Sequence, residues 1–158
     1  MDATPQSALA PGIAAPDFSL PATLEGALSL SELRGRPVVL AFYPADFTPV
    51  CSSQLALYNE ILDMFADFDA ALLGISTDDI NTHQDFATAQ DLRFPLLADS
   101  DPQGQTARAY GAYDEANQAC ERALFVIDKD GFIQWSYVSP KGVNPGADGI
   151  LKALEGLA

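Results

Sequence analysis

The chain has 158 residues, 48% of them hydrophobic, which favours one globular domain over residues 1–158 built on one core. Its formal net charge is −14, from 22 acidic and 8 basic side chains. This balance argues against binding to nucleic acid or to an anionic membrane surface, because both need a basic face.

The first third of the chain predicts short elements followed by one buried strand. Residues 1–16 are rich in Ala and Pro and predict an irregular lead-in. Short strands are expected at 18–20 and 27–30, and a brief helical turn at 31–33. The segment 38–43 is apolar at nearly every position, which is typical of a central strand covered on both faces.

The remaining elements alternate between helical and extended patterns. Apolar residues spaced three or four apart predict one helix from Pro49 to about Phe68. After it we expect a buried strand at 70–76, a helix at 79–90, an extended stretch at 94–97, a helix at 103–110, a hairpin of strands 123–128 and 132–138, and a helix at 147–157. This order predicts the α/β class and a thioredoxin-like fold: a central mixed sheet, helices on both faces and an N-terminal extension.

Cys51 lies in the most informative segment of the chain. Thr48 is a good N-cap residue and Pro49 suits the first helical position, so Cys51 is predicted in the first turn of a helix. Free backbone N–H groups and the positive end of the helix dipole meet there. They favour the thiolate, which is the nucleophilic form of cysteine. The sequence therefore predicts a reactive and accessible cysteine rather than a buried thiol.

A thiolate in so acidic a chain needs a nearby cation, and Arg122 is the best candidate. Arg122 directly precedes the apolar strand, so its side chain leaves from the edge of the sheet. If that strand lies beside the strand at 38–43, Arg122 comes close to Cys51. Pairing of Arg122 at a strand end with Glu121 or another acidic residue is an equally weighted alternative.

Of three further residues around Cys51, two have both a structural and a chemical interpretation. Thr48 is expected to cap the helix, and its hydroxyl also suits contact with a bound oxygen substrate. Pro44 ends a strand, and it also suits shielding of a thiolate from water. Gln54 is expected to be a solvated helix residue.

His83 and Cys120 are the remaining candidates. His83 has the residue type of a general base for a cysteine, but its helical spacing from Ile80 and Phe86 favours packing instead. Cys120 lies two residues before Arg122, and on an extended segment both side chains point the same way. Two interpretations of Cys120 stay open: a resolving cysteine that forms a disulfide with Cys51, and an ordinary semi-buried thiol.

These motifs together resemble the alkyl hydroperoxide reductase/thiol-specific antioxidant family of peroxiredoxins. Pro44, Thr48 and Cys51 match the family pattern of Pro, three residues, Thr or Ser, two residues, and Cys. Segments similar to the family also occur in order at 15–18, at 74–78 with His83, at 94–99 and at 122–128. The chain is most similar to the bacterioferritin-comigratory (peroxiredoxin Q) type and the one-cysteine alkyl hydroperoxide reductase E type.

The resemblance implies a thiol-dependent peroxidase that reduces hydrogen peroxide and organic hydroperoxides through a sulfenic acid at Cys51. It implies that Thr48 hydrogen-bonds the peroxide, that Pro44 shelters the thiolate, and that Arg122 stabilises thiolate and transition state. It implies no metal, haem or flavin cofactor, a thioredoxin-like or low-molecular-weight thiol as reductant, and often a homodimer.

Two departures from the family bear on the reaction. Gln54 stands where the family often has Glu, and Ala56 stands where the bacterioferritin-comigratory type often has its resolving cysteine. A one-cysteine mechanism or a Cys51–Cys120 disulfide is therefore expected.

Two other functions on the same fold are alternatives. A thiol–disulfide oxidoreductase normally has two cysteines separated by two residues, whereas Cys51 is followed by Ser52, Ser53 and Gln54. A redox sensor would use oxidation of Cys51 as a signal without turnover. The low cysteine content and the lack of a signal-like start predict the cytoplasm.

Overall fold

A computed structural model describes residues 8–140 and 142–157. The strands are β1 Ser19–Ala22, β2 Gly26–Ser29, β3 Val38–Phe42, β4 Ala71–Ser76, β5 Leu96–Ala98, β6 Tyr113–Asp114, β7 Ala119–Cys120, β8 Ala123–Ile127 and β9 Ile133–Val138. The helices are α1 Pro49–Glu60, α2 Leu62–Asp67, α3 Ile80–Gln90, α4 Gln105–Ala109 and α5 Asp148–Glu155, with a 3-10 turn at Leu30–Leu33.

Within the described segments, seven strands form one mixed sheet in the order β2-β1-β5-β4-β3-β8-β9. Strand β4 runs parallel to β3 and to β5, whereas β8 runs antiparallel to β3 and to β9. The predicted central mixed sheet is thus confirmed. None of the helices in these segments combines the length and the apolar character needed to cross a membrane.

The two central strands are buried along their whole length, as the continuous apolar runs predict. Every residue of β3 and of β8 is buried. Alternate residues of β3 face two separate apolar layers: Val38, Leu40 and Phe42 face one, and Val39 and Ala41 the other. The second layer holds α1, α2 and α5, and the first holds α4, so helices cover both faces.

The pairing of β3 with β8 determines where the chemistry-bearing residues meet. In this antiparallel ladder Phe42, the last residue of β3, lies opposite Ala123, the first residue of β8. The chain therefore leaves β3 toward α1 at the point where Arg122 enters β8. This is the neighbouring-strand arrangement that the sequence predicts.

The prediction of one continuous helix from Pro49 to about Phe68 is wrong. The helix is interrupted at Ile61, whose backbone (φ −106°, ψ 22°) is not helical. One physical cause is tertiary: Nη2 of Arg93 donates to the Asn59 carbonyl at 3.1 Å, and the Arg93 N–H donates to the Asn59 side chain at 2.8 Å. The Asn59 carbonyl thus accepts from Arg93 at the point where a continuing helix would use it for its own hydrogen bond.

One further element differs from expectation. Strands β6 and β7 form a small separate hairpin that the sequence analysis does not anticipate, since each strand is only two residues long. In the lead-in, residues 1–7 lie outside the described residues. Residues 8–16 are irregular, as predicted, but the Leu9 N–H donates to the Tyr110 carbonyl at 3.0 Å and ties the segment to the domain.

The hairpin is held against α4 by a glycine, which gives a first prediction. Gly104 and Gly26 share φ +77°, but a Cβ at Gly104 would overlap the Tyr113 ring, whereas a Cβ at Gly26 would meet no atom within 4 Å. We expect Gly26→Ala to lower the unfolding free energy by about 1 kcal/mol through backbone strain alone. We expect Gly104→Ala to lower it by a further ~1–3 kcal/mol through overpacking.

Urea unfolding of both variants measures this difference, with equal m-values as the check that the unfolding transition is comparable. Equal losses for the two variants would show that the Tyr113 contact contributes nothing.

Candidate active site

Cys51 lies in the first turn of α1, as predicted. Thr48 is the N-cap in an extended conformation and Pro49 is the first helical residue. The first hydrogen bond of the helix runs from the Ser52 N–H to the Thr48 carbonyl at 2.9 Å. The N–H groups of Val50 and Cys51 precede that bond, so they are directed out of the helix N-terminus beside the sulfur.

The Thr48 side chain does not cap the helix, and that prediction is wrong. Its hydroxyl donates instead to the Ala45 carbonyl at 2.9 Å, and no side-chain cap bond is made. The bond closes the short loop that leads into α1. Because the hydroxyl proton is used in this way, the lone pairs of Oγ1 are available to accept a hydrogen bond.

The Cys51 sulfur is buried and in contact with a cation. Cys51 is 0% exposed, so the predicted accessibility of the thiol is wrong. The predicted cation is present: Nη1 of Arg122 donates to Sγ at 3.2 Å, and Arg122 is itself only 7% exposed. A buried guanidinium beside sulfur attracts negative charge on that atom, and the attraction is weakly screened away from water.

Gln54 orients this arginine. Nη1 of Arg122 donates to Gln54 Oε1 at 2.9 Å, Gln54 Nε2 donates to the Tyr58 hydroxyl at 3.1 Å, and that hydroxyl donates to the Gly146 carbonyl at 2.9 Å. Burial raises the pKa of Tyr58 to about 12, so this link is neutral near pH 7. The chain of bonds holds the guanidinium in one orientation.

The prediction of a solvated Gln54 is therefore wrong, since the residue is 0% exposed. A sequence signal for its burial exists. Cys51, Gln54, Leu55 and Tyr58 recur at the spacing of one helical face, and all four are buried. The amide is buried because it binds the arginine, which no local pattern reveals.

Arg122 carries an unsatisfied donor. Its Nε is buried and makes no hydrogen bond. Among the described residues, no other buried side-chain nitrogen or oxygen lacks a partner. Leaving a buried donor unpaired costs roughly 1–3 kcal/mol. Such a group is rare in native structures, and here it lies on the side chain that binds Cys51.

A buried polar network holds the loop between β3 and α1. The Asp46 carboxylate accepts from the Tyr43 hydroxyl at 2.6 Å and lies 2.7 Å from Nδ1 of His83, while the Asp46 N–H donates to Asp78 at 2.8 Å. Nε2 of His83 lies 2.9 Å from the Leu97 carbonyl. A carbonyl only accepts, so Nε2 carries a proton, and a further proton lies between Nδ1 and Asp46.

His83 is thus a packed and hydrogen-bonded residue, as its spacing predicts, rather than a base for Cys51. Its ring nitrogens are engaged with Asp46 and Leu97. Among the described residues, Asp46, Asp78 and His83 are the group whose side-chain ligand atoms lie close enough together to hold a metal ion. Asp46 Oδ2 is hydrogen-bonded to Nδ1 of His83, and Asp78 Oδ2 accepts from the Asp46 backbone N–H and from the Ser76 hydroxyl at 2.6 Å, so all three residues are tied to the loop.

The loop itself turns at Phe47. This residue has φ +64°, a left-handed conformation that costs a non-glycine residue about 1–3 kcal/mol. Its ring packs edge-on against Phe86 at a centroid distance of 5.1 Å. The turn brings Thr48 into position to begin α1, and the Asp46 contacts hold it there.

Cys120 does not share the environment of Cys51. The two thiols are free, and they belong to different apolar layers. The extended segment that would align Cys120 with Arg122 is interrupted: Cys120 ends β7 in the small hairpin, whereas β8 of the main sheet begins at Ala123. Both residues nevertheless border one cavity. Burial raises the pKa of the Cys120 thiol well above its ordinary value, and Asp99 and Asp78 add to the shift.

Pro44 completes the set of predicted residues. It follows Tyr43 beyond the end of β3 and is half-buried. Together with Arg122 and Cys120 it borders a cavity of about 210 Å³. Pro44, Thr48, Cys51 and Arg122 thus gather at one edge of the sheet.

Comparisons with known proteins show the family to which the chain belongs. The profile of the AhpC/TSA family matches residues 11–136. The chain is 35% identical over 132 residues to alkyl hydroperoxide reductase E of Mycobacterium tuberculosis, covering 83% of this chain and 86% of that protein. It is 32% identical over 154 residues to peroxiredoxin 2 of Thermoplasma acidophilum, covering 92% of this chain and 75% of that protein.

A solved structure is similar over nearly the whole chain. The crystal structure of peroxidoxin BcpB from Mycobacterium tuberculosis aligns with a TM-score of 0.83 at 32% identity, covering 94% of this chain and 97% of that one. This likeness confirms the predicted thioredoxin-like architecture.

The Asp46 network yields a stability prediction. We expect Asp46→Asn to lower the unfolding free energy by about 1–3 kcal/mol, because a neutral amide leaves the buried His83 and Tyr43 donors poorly matched. Asp85→Asn, on the exposed face of α3, is the matched control and is expected to change little. Chemical denaturation that gave the same midpoint for both variants would contradict the assigned importance of the network.

Proposed function

Because this chain belongs to the AhpC/TSA family and is a thiol-dependent peroxidase, we propose that Cys51 is its peroxidatic nucleophile. Thr48, Arg122 and Pro44 form the rest of the catalytic site in this proposal. The substrates are hydrogen peroxide and organic hydroperoxides.

The observation that carries the proposal is the double role available to Arg122. Its Nη1 donates to the Cys51 sulfur, while its Nε is buried without a partner. One guanidinium can thus contact the nucleophile with one N–H and a bound peroxide with another. A donor already in place where negative charge develops stabilises the transition state without reorganisation.

The reaction balances as a two-electron oxidation of sulfur. The Cys51 thiolate attacks the terminal oxygen of the hydroperoxide, a sulfur–oxygen bond forms, and the oxygen–oxygen bond breaks. The terminal oxygen keeps its hydrogen and becomes the sulfenic acid. The other oxygen leaves as hydroxide or alkoxide and takes a proton from water to give water or an alcohol.

Thr48 and the helix N-terminus suit the two oxygens of the substrate. Oγ1 of Thr48 donates its own proton to Ala45 and can accept from the O–H of the peroxide. The N–H groups of Val50 and Cys51, which precede the first helical hydrogen bond, donate toward developing charge. Pro49 has no N–H and contributes none.

Pro44 limits access of water to the sulfur. Since Cys51 is 0% exposed, a peroxide reaches it only when the surrounding groups open locally. A rigid proline that lacks a donor covers a thiolate without competing for it. The burial that makes the thiol inaccessible at rest also keeps the guanidinium–sulfur attraction weakly screened.

A thiol reductant completes the cycle through a one-cysteine mechanism. A thioredoxin-like protein or a low-molecular-weight thiol attacks the sulfenic sulfur, forms a mixed disulfide and releases water. A second thiol then regenerates Cys51. The separation of Cys51 and Cys120 into different layers supports an external thiol over an internal disulfide.

The proposal extends to the cellular location and the oligomeric state. We place the enzyme in the reducing cytoplasm, supported by its two free cysteines, and expect a homodimer from the family resemblance. A redox sensor with the same site would form the sulfenic acid without sustained turnover, so steady-state peroxide consumption with an excess of thiol separates the two functions.

The role of Cys51 is tested by trapping its oxidised form. We expect one equivalent of hydrogen peroxide to give wild-type protein that dimedone labels at Cys51, since sulfenic acid is the product of the reaction. Cys51→Ser is expected to lose peroxidase turnover. Cys120→Ser, the matched control, is expected to keep both labelling and turnover.

Mass spectrometry reads the outcome directly. Turnover of Cys51→Ser within a few-fold of wild type would refute the nucleophile. A product that has lost two hydrogens, with both thiols blocked, would replace the one-cysteine mechanism with a disulfide.

The role of Arg122 is tested while its charge is retained. We expect Arg122→Lys to slow oxidation of Cys51 by about 10²-fold, because a single ammonium cannot contact both sulfur and peroxide in the geometry of a guanidinium. Arg93→Lys, which alters an exposed arginine on Asn59, is the control. Stopped-flow oxidation by hydrogen peroxide measures both, and equal rates for the two variants would rule out the assigned role.

A further inference from the structure

We propose that Tyr58 is a positioning residue for the oxidation of Cys51: its hydroxyl fixes the direction of the Gln54 amide, and that amide holds the guanidinium of Arg122. The inference rests on the proposed peroxidatic role of Cys51 and adds a residue that acts on the reaction through two other side chains. It also attaches the site to the loop between β9 and α5, which carries the final acceptor, the Gly146 carbonyl.

The direction of each hydrogen bond in this series is determined by its two ends. A guanidinium only donates, and a backbone carbonyl only accepts. Tyr58 has one hydroxyl proton and gives it to the Gly146 carbonyl at 2.9 Å, so its oxygen is left to accept. Nε2 of Gln54 donates to that oxygen at 3.1 Å, which directs Oε1 toward Nη1 of Arg122 at 2.9 Å.

The opposite orientation of the Gln54 amide is disfavoured at both ends. Nε2 would then face Nη1 of Arg122, which places two donors together. Oε1 would draw the Tyr58 proton away from Gly146, and that carbonyl would lose this donor. A carboxylate in place of the amide would accept at both ends and would not distinguish them. The amide therefore transmits orientation from the tyrosine to the arginine.

Burial makes this orientation costly to lose. Gln54 and Tyr58 are both fully buried, so water does not reach them to replace a lost partner. The Tyr58 ring packs edge-on against Phe65 at a centroid distance of 6.2 Å, which holds the hydroxyl in place. Burial also raises the pKa of Tyr58 to about 12, so near pH 7 the hydroxyl keeps the proton that this arrangement requires.

The loop between β9 and α5 is attached to Arg122 at both of its ends. At its start, the Ser139 N–H donates to the Arg122 carbonyl at 2.9 Å. At its end, the Gly146 carbonyl is linked to the guanidinium through Tyr58 and Gln54. One attachment holds the backbone of the arginine and the other its side chain, so removal of the Tyr58 hydroxyl breaks the second and leaves the first.

The experiment compares two reactions of the same sulfur. Oxidation by hydrogen peroxide needs the positioned guanidinium, whereas alkylation by iodoacetamide involves no peroxide oxygen. Both rates are measured at one pH in a Cys120→Ser background, where Cys51 is the remaining cysteine. We expect Tyr58→Phe, which keeps the ring and removes the hydroxyl, to lower the ratio of oxidation to alkylation about fivefold, the scale of one hydrogen bond.

Tyr110→Phe is the matched control. Tyr110 is also fully buried, and its hydroxyl donates to the Pro16 carbonyl at 2.6 Å. It packs in the other apolar layer, so this variant loses a comparable hydrogen bond away from the Arg122 guanidinium. We expect its ratio to stay within about twofold of wild type.

A double-mutant cycle shows whether Tyr58 acts through Gln54. Gln54→Met removes the amide and keeps an unbranched side chain, and we expect it to lower the ratio at least as much as Tyr58→Phe does. Adding Tyr58→Phe to Gln54→Met is expected to lower the ratio by less than about twofold further, since the hydroxyl then has no amide to orient. Urea unfolding checks that each variant is folded, and Tyr58→Leu is a second variant without the hydroxyl for which we expect the same fall.

Each outcome bears on the proposal. An unchanged ratio in the Tyr58 variants overturns it, as does an equal fall in Tyr110→Phe, because either result leaves Tyr58 with a packing role. Losses that multiply in the double variant also overturn it, since Tyr58 would then act without Gln54. A wild type that iodoacetamide labels at Cys51 but that hydrogen peroxide does not oxidise would instead refute the proposed peroxidase function.

Discussion

The contact between Arg122 and the Cys51 sulfur is the interaction on which the rest of the site depends. The chain carries a net charge of −14, so its average field opposes an anion at position 51. A guanidinium at 3.2 Å reverses that field locally. Because both groups are buried, the attraction is little screened, and the same burial requires every N–H of the guanidinium to find an acceptor. Gln54 supplies one acceptor and sulfur another, whereas Nε is left without one.

The fold maintains this contact from two sides. On one side, the antiparallel pairing of β3 with β8 brings Arg122 to the end of β3. On the other, the loop after β3 is pinned by Asp46 to Tyr43, Asp78 and His83 before it turns into α1. The two attachments use different elements, so the distance between sulfur and guanidinium depends on the packing of the whole sheet edge. This dependence explains why a buried polar network with no catalytic chemistry of its own lies directly beside the site.

The pattern of agreement between sequence and structure follows from the range of each interaction. The apolar runs of β3 and β8, the Thr48-Pro49 helix start and the pattern of the 123–138 hairpin are local signals, and the elements form where these signals predict them. The helix break at Ile61 and the small β6–β7 hairpin were missed, because the first depends on Arg93 reaching Asn59 and the second is too short to carry a pattern. The residue type of Thr48 predicts a cap bond in which Oγ1 accepts from a backbone N–H, but the hydroxyl donates to the Ala45 carbonyl and no cap bond is made.

The sequence by itself determined the α/β class, the family resemblance and the position of Cys51 at a helix N-terminus, since periodicity, residue type and spacing are properties of adjacent residues. Only the tertiary structure decided that Cys51 is buried, that Gln54 binds Arg122 and that Cys120 lies in the other apolar layer. Cys51 and Arg122 are 71 positions apart in the chain, and the register of paired strands sets the distance between them. No local pattern encodes that register, because it results from the simultaneous packing of both faces of the sheet.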